Sequence, residues 1–335
     1  MTMEKRTTEL KRDPATIAQA IQPAQTIALC SHINPDGDTV GSTLALRLGL
    51  MQLGKTVAVF CQDKIPDNLS FMAGADAYAT ADQAAEHYDL VIAVDAADEA
   101  RLGTSAALLQ KADHTAQVDH HGTNPCYAER NDIDPSASAT ALLIRELLDT
   151  LQVTVTKEIG ICLFVGISTD TGNFAFTNTT PEAFRTAADL LEMCALPLAK
   201  MNRVLFQQRS KAQTLLIGRA LNNMTFAADG KIAVITVTQQ DMADCGAMPE
   251  HTETIVNYGL NVEGVKFAVM ARELDDSRTK FSLRSIEPYK VDGVAKMMGG
   301  GGHELAAGCT VNAPLTEAVA RVLDAIRDEM NGAMA

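Results

Sequence analysis

Short apolar runs recur through the first part of the chain: "TIALCSH" (Thr26–His32), "TVAVFCQ" (Thr56–Gln62), "DLVIAVDAA" (Asp89–Ala97) and "TAQVDHH" (Thr115–His121). Helical patterns alternate with them. Between the first two lies "GSTLALRLGLMQLG", whose apolar residues return at helical spacing and which ends on Gly54, a residue suited to closing a helix. Strands that alternate with helices predict an α/β fold with a parallel sheet and helices on both faces. Ligands of such sheets sit just beyond the carboxyl ends of the strands.

Polar residues stand at those ends. His32 closes the first run, and Asp36 and Asp38 follow it. Asp95 ends the third run, and Asp119, His120 and His121 end the fourth. Asp170 follows a further apolar run, "IGICLFVGI". Four separate segments therefore aim acids and imidazoles at one edge.

The second half reads differently. From Pro181 to about Asn223 the pattern is mostly helical, with breaks near Pro197. Strands then follow in "KIAVITVT" (Lys231–Thr238), "GVKFAVMARE" (Gly264–Glu273) and "TKFSLRS" (Thr279–Ser285). Helices are expected at about "EHTETIVNYGL" and "PLTEAVARVLDAIRDEM". This predicts a smaller, mixed-sheet α/β domain with antiparallel pairs. The chain has 335 residues, and one hydrophobic core stops growing near about 250–300 residues, so two domains are expected.

Charge narrows the partners. The formal net charge is −14, and no basic stripe exists to neutralise a long run of phosphates. A small phosphate compound is still compatible with an acidic chain if bound cations invert the local field. The seven cysteines, Cys30, Cys61, Cys126, Cys162, Cys194, Cys245 and Cys309, are scattered singly and read as buried small apolar residues in a reducing compartment. The start of the chain, "MTMEKRTTELKRDPATIAQAI", has no apolar centre of the signal-peptide kind, and no run is long enough to span a bilayer. A cytoplasmic protein without a membrane partner is expected.

His32, Asp36, Asp38, Asp95, His120 and Asp170 suit divalent ions such as Mn²⁺, Mg²⁺ or Zn²⁺. No cysteine joins them, which argues against structural zinc. Six ligands are too many for one ion that must also admit a substrate. Two ions about 3.5–4 Å apart, sharing a carboxylate, use such a set well. Four carboxylates match two divalent charges, and without cations they would repel one another. Water made acidic by such ions is a nucleophile at neutral pH. Taken singly, an aspartate after a strand also serves as a helix cap or turn former.

The motifs "HINPDGDTVGS", "VDAADEARLG", "QVDHHGTN" and "STDTGNFAFTNTT" resemble, in order, the four motifs of the DHH phosphoesterases. "MMGGGGHELAAG" (Met297–Gly308) is similar to the signature of their associated DHHA1 domain. The resemblance covers the chain from about Ile17 to the last helix. It implies a parallel-sheet DHH domain over residues 14–190, a helical connector over 191–222 and a mixed-sheet DHHA1 domain over 223–335. Size and connector resemble the nano-RNases and pAp phosphatases. They imply hydrolysis of short oligoribonucleotides to mononucleotides, removal of phosphate from 3′-phosphoadenosine 5′-phosphate (pAp), or both. The alternatives are a cyclic di-AMP or pApA phosphodiesterase, then an inorganic pyrophosphatase or a nucleotide sensor without catalysis.

The same resemblance implies that His32, Asp36 and Asp95 hold one ion. Asp38, Asp95, His120 and Asp170 hold the other, Asp95 bridges, and manganese is the usual activating ion. Asp119 would orient an imidazole, and His121 would face the phosphate and protonate the leaving group. One departure is visible: many relatives carry a glutamate where "SATAL" places Leu142. Dimerisation through the first domain is a further implication.

The run Gly299–His303 lets a backbone approach a ligand closely and present N–H donors to an anion. "HELAAG" behind it has helix-start character, so the positive end of a dipole is expected to converge on the same anion. Gly300, Gly301, Gly302 and His303 are therefore candidate substrate-binding residues. Arg284 in "SLRS" is a second phosphate-binding candidate, with an edge-strand ion pair as its plain alternative. Arg101 in "ARLG" is a third, reaching in from the loop after Asp95. Short substrates are expected, with no long nucleic-acid track.

Overall fold

The computed structural model describes residues 12–333. The charged stretch "MTMEKRTTELK" read above lies outside the described residues. The chain forms two compact units that divide between Gln208 and Arg209.

The first unit is built on six parallel strands: β1 (Thr26–Ser31), β2 (Thr56–Phe60), β3 (Tyr78–Ala79), β4 (Tyr88–Val94), β5 (Ala112–Asp119) and β6 (Arg130–Ile133). Their order is β3-β2-β1-β4-β5-β6. Each strand predicted from the apolar runs is present, and each stops one to three residues sooner at its carboxyl end. The polar residues thus stand beyond the ladder, where their backbone is free to turn. β3 and β6 are too short or too polar to have been read from apolar runs.

Helices α1 (Pro14–Ile21), α2 (Gly37–Gln52), α3 (Thr140–Thr150), α4 (Lys157–Asp170), α5 (Pro181–Cys194) and α6 (Leu198–Asn202) complete this unit. One face of the sheet, with Ile27, Leu29, Leu90 and Ile92, packs into a core with α1 to α5. The other face, with Ala28, Cys30, Val91 and Ala93, is closed by the 3-10 turns of Glu99–Lys111, not by a regular α-helix. Gly103, at φ 55°, breaks that segment in two. α2 and α4 are buried on several sides rather than along one stripe, as helices packed between neighbours are. The run before Asp170 is therefore the body of a helix rather than a strand.

The second unit carries a mixed sheet of β7 (Thr225–Ala227), β8 (Ile232–Val237), β9 (Phe267–Asp275), β10 (Arg278–Ser285), β11 (Gly301–His303) and β12 (Ala306–Val311). Its order is β11-β12-β10-β9-β8-β7, parallel only between β8 and β9. Helices α7 (Lys211–Asn222), α8 (Gln239–Cys245), α9 (Ile255–Leu260), α10 (Asp292–Met297) and α11 (Leu315–Ala333) cover it. α7 packs Leu216, Ile217 and Ala220 against Ile235, Val237, Ala268 and Met270, so the last part of the helical stretch belongs to this unit's core. All seven cysteines are free, but Cys126 and Cys245 are only half-buried, which corrects the expectation for those two.

Candidate metal centre

The turn after β1 begins the site. Asn34, at φ 52°, reverses the chain, and its N–H donates to Asp63 Oδ2 at 2.8 Å. Asp36 then caps α2: its Oδ1 accepts from the N–H groups of Asp38 and Thr39, both at 3.0 Å. Its other oxygen, Oδ2, lies 3.6 Å from His32 Nε2. Helix cap and candidate ligand, the two readings of this aspartate, are thus served by different oxygens of one carboxylate.

Asp38 sits in the first turn of α2, buried, and ties that helix to α3. Its Oδ2 accepts from Thr140 N at 2.6 Å, and its Oδ1 from Ala141 N at 3.0 Å and Ser42 Oγ at 2.9 Å. Ala139, the residue preceding α3, offers no side-chain cap. Asp38 supplies that cap from across the core, and the two N–H groups orient it.

Glycines permit this approach. A side chain at Gly41 would run into Cys162 O on α4, and a Cβ at Gly166 would lie 2.6 Å from Asp38 Oδ1 and 2.7 Å from Ala141 Cβ. α2, α3 and α4 meet where no larger residue fits. Asp170 ends α4, where the negative end of the helix dipole favours a cation.

Asp95 follows β4 in the left-handed region, at φ 60°, an unfavourable conformation for a residue with a Cβ. The turn points its carboxylate inward. Oδ2 lies 3.6 Å from His32 Nε2, and Oδ1 lies 3.8 Å from His120 Nε2. Thr140 Oγ1 donates to Oδ1 at 2.7 Å. One buried carboxylate therefore presents an oxygen to each of two imidazoles.

Two groups of ligand atoms result. His32, Asp36 and Asp95 form one; Asp38, His120 and Asp170 form the other, with His120 Nε2 3.4 Å from Asp170 Oδ2. The separations of 3.4 to 3.8 Å are too wide for hydrogen bonds. They suit neighbours around a shared ion with bonds of about 2.0–2.2 Å. The far nitrogens agree: His120 Nδ1 donates to Ala137 O at 3.1 Å, and His32 Nδ1 to Ile33 O at 2.8 Å. Those bonds leave each Nε2 lone pair aimed inward, as metal-ligating histidines require. A third group, Asp95, His120 and His121, overlaps these two, and a fourth, His87, Asp89 and Asp113, lies at the opposite end of the sheet with His87 and Asp113 exposed and paired.

Electrostatics point the same way. Burial, reinforced by the charges of Asp95 and Asp170, pushes the Asp38 carboxyl well above the usual carboxylate range. Burial pushes Asp170 up to about 6. Burial opposes protonation of His32, yet the carboxylates of Asp36 and Asp95 raise it to about 10. These three shifts have one sense, the cluster drawing positive charge, whereas Asp36, although burial opposes it, is held below the usual carboxylate range by His32. Oxygen and imidazole donors, preset tautomers and unneutralised buried acids fit a pair of divalent ions.

His121 stands at the rim of this set, its Nδ1 3.8 Å from Asp95 Oδ1. Its Nδ1 lies 2.7 Å from Asp119 Oδ1, its ring crosses that of His120 at 4.7 Å, and it is 41% exposed. Its hydrogen bond to Asp119 holds the imidazole above its ordinary pKa. Although burial opposes it, the same bond holds Asp119 below the usual range. Arg101 places Nη2 3.1 Å from His32 Nδ1, behind the ring and away from Nε2.

In the second unit the glycine run differs from expectation. It does not open a helix. Gly299, at φ 78°, ends α10, and the N–H groups of Gly299 and Gly300 donate to Lys296 O and Ala295 O. Those two donors are spent on the helix end. Gly301 to His303 form β11, hairpinned onto β12. A Cβ at Gly300 or Gly302 would strike the β12 backbone, whereas Gly301 has open space. Gly300 and Gly302 are glycine because two backbones touch there, and Gly299 suits its positive φ. Arg284 lies on β10, inside the sheet, and makes no ion pair among the described residues, so the edge-strand alternative is excluded. Arg284 and His303 both oppose Ala306, and so share one face. They stand about two strand spacings apart, roughly 10 Å.

The sequence reading missed Thr140, Ser42 and Asn124, which hold Asp95, Asp38 and Asp119 respectively. Hydroxyl and amide residues are common everywhere. Ser42 and Asn124 stood inside motifs already marked, and Thr140 inside the stretch "SATAL".

Residues 26–167 match the DHH family, N-terminal domain, and residues 229–332 match the DHHA1 domain. A Thermus thermophilus protein described as bifunctional oligoribonuclease and PAP phosphatase NrnA is 34% identical over 331 residues, covering 98% of this chain and 97% of that one. The chain belongs to the DHH family. A Bacillus subtilis protein of the same description is 27% identical, covering 88% of this DHH chain and 92% of its own. The crystal structure of an exopolyphosphatase-related protein from Bacteroides fragilis matches with a TM-score of 0.86 at 25% identity, over 94% of this chain and 95% of that one. Among the described residues no helix is long and apolar enough to cross a membrane.

Proposed function

We propose that this DHH protein is a metal-dependent phosphoesterase that hydrolyses short oligoribonucleotides to mononucleotides and removes the 3′-phosphate of pAp. The observation that carries this reading is the pair of ligand groups facing the two oxygens of Asp95. The likeness to the Thermus and Bacillus proteins supports the substrate class. One site serves both substrates if both reactions break the bond between phosphorus and a ribose 3′ oxygen.

His32, Asp36 and Asp95 would hold one ion, and Asp38, Asp95, His120 and Asp170 the other, with manganese as the activating metal. Divalent ions there supply a Lewis acid that makes water acidic and neutralises phosphate oxygens. The protein's own groups do the rest. Hydrolysis joins a water oxygen to phosphorus and releases the 3′ oxygen with its bonding pair. Water gives up one proton and the leaving oxygen takes one. His121 donates the second of these: Asp119 fixes its Nδ1, and its Nε2 has no hydrogen-bond partner among the described residues. Arg284 and His303 offer a cation and an imidazole for a second phosphate or base. Arg101 backs the His32 ring and reaches the substrate through that ring's position.

A substrate panel tests the reading: pAp, pApA, cyclic di-AMP, di- to pentanucleotides and pyrophosphate, with metal-free enzyme reconstituted with Mn²⁺, Mg²⁺ or Zn²⁺. Asp38→Ala should abolish turnover on every substrate, and His303→Ala should chiefly raise KM. Turnover by metal-free enzyme, or by Asp38→Ala at wild-type rates, would refute the two-ion site. Equal rates on two-, five- and twenty-nucleotide RNAs would refute the preference for short chains.

A further inference from the structure

Beside the candidate centre the sheet buries something unusual for its apolar face: three side-chain amides in a row. Gln117 on β5 and Asn131 on β6 are direct cross-strand partners, and Asn124 lies in the loop after β5. All three are buried, on the face whose other residues are Ala28, Cys30, Val91 and Ala93. Asn131 Nδ2 donates to Ala128 O at 2.9 Å, and Gln117 Nε2 donates to Asn131 Oδ1. Gln117 and Asn124 exchange two amide hydrogen bonds, both at 3.1 Å. Asn124 Nδ2 then donates to Asp119 Oδ2 at 2.6 Å, and Asp119 Oδ1 meets His121 Nδ1 at 2.7 Å.

The direction of this chain is over-determined. Cys126 N–H must donate, and it reaches Asn124 Oδ1 at 2.8 Å, which leaves Nδ2 for the carboxylate. Ala128 O must accept, which sets Asn131 the same way. Gln117 between them then has one arrangement. Burying three amides is tolerated only when every donor and acceptor is matched. A well-packed apolar trio would close this face with less desolvation. What the amides do, and an apolar trio cannot, is hold the second oxygen of Asp119 while the first holds His121.

We propose that Asn124, braced by Gln117 and Asn131, is a positioning residue for His121. It fixes the Asp119 carboxylate, and through it the imidazole that delivers the proton to the leaving oxygen. The inference rests on the proposed role of His121. It also separates two routes by which Asn124 could matter, because Ala96 O, next to Asp95, lies 3.1 Å from the same Nδ2 and shares its second hydrogen with Gln117 Oε1. A loss through Asp95 would weaken ion binding and slow every substrate alike. A loss through His121 slows only esters whose leaving group needs a proton.

The experiment compares pApA with its analogue in which the bridging 3′ oxygen is sulfur, whose thiolate departs without a proton. Wild type, Asn124→Ala, Gln117→Met and His121→Ala are assayed as full-length, manganese-loaded enzyme, with ion affinity measured by calorimetry. Asn124→Ala should lower kcat on pApA by about 10–100-fold, as loss of a group that orients a catalytic side chain does, with KM within about threefold. On the sulfur analogue the loss should stay under about threefold, and ion affinity should hold within the same margin. Gln117→Met should show the same selectivity at smaller size, and it decides the matter if Asn124→Ala does not fold. Equal losses on both esters, or none, in variants that fold would overturn the positioning role while His121→Ala still discriminates between them. If His121→Ala itself fails to discriminate, the leaving-group role is wrong, and the inference falls with it.

Discussion

Replacing Gly166 with alanine tests whether the contact between helices sets the spacing of the acids. The new methyl would lie 2.6 Å from Asp38 Oδ1 and 2.7 Å from Ala141 Cβ. Carbon atoms pack comfortably at about 3.5–4.0 Å, so the helices must part by roughly 0.8 Å or more. Overpacking of this kind costs about 1–3 kcal/mol, and the helix propensity of alanine over glycine returns about 1 kcal/mol. The net loss of stability is therefore modest, about 0–2 kcal/mol. Function should suffer far more, because a displacement of about 1 Å at a reacting centre costs on the order of 100-fold. Gly218, exposed on α7 with open space around it, is the matched control. Gly218→Ala should gain about 1 kcal/mol and leave turnover unchanged. Urea unfolding, ion-binding calorimetry and steady-state turnover of both variants check these outcomes. If Gly166→Ala keeps wild-type ion affinity and a kcat within about threefold, small residues between α2, α3 and α4 do not control the centre, and the spacing argument is wrong.

Three further outcomes are expected. Thr140→Val removes the hydroxyl that donates to Asp95 Oδ1. It should weaken ion binding by about 10–100-fold by calorimetry, and an unchanged affinity would show that Asp95 is oriented by its backbone alone. In metal-free protein Asp170, pushed up to about 6 by burial, binds its proton more tightly folded than unfolded. Its contribution therefore falls as pH rises from about 4 to 6, Asp170→Asn should melt higher than wild type at pH 7, and the gap should close near pH 4. A gap independent of pH would contradict this. Asp89 behaves oppositely, because the N–H groups of Thr26 and Gln25 hold its carboxyl below the usual range. Its stabilising effect is present above the unfolded pKa near about 4 and is lost as pH falls through the lower folded value. Asp89→Ala should melt below wild type at pH 7 and match it in acid, and a deficit that persists in acid would point to packing instead.

Much of the site was legible because the rule that locates it is local. A parallel strand must end at one edge of its sheet, so His32, Asp95, Asp119 and His120 were placed by knowing only where apolar runs stop. Asp36 was legible twice, as a helix cap and as a ligand candidate, and both uses coexist. Asp170 was legible as a residue type but not as a helix terminus, since a buried helix and a buried strand are equally apolar in sequence. The glycine run was legible as a place where something comes close, but not as what. The visitor is the backbone of β12, and the N–H groups of Gly299 and Gly300 serve the end of α10.

The amino-acid sequence alone therefore determined which atoms are available for chemistry and on which edge of the sheet they stand. Residue type and strand period are properties of short segments. Tertiary structure decided how those atoms are oriented. Asp38 caps a helix a hundred residues away in the chain, Asp95 turns one oxygen to each imidazole, and three amides aim Asp119. Each arrangement depends on which distant surfaces meet and how closely, and that is set by packing over the whole unit rather than by any stretch of the chain.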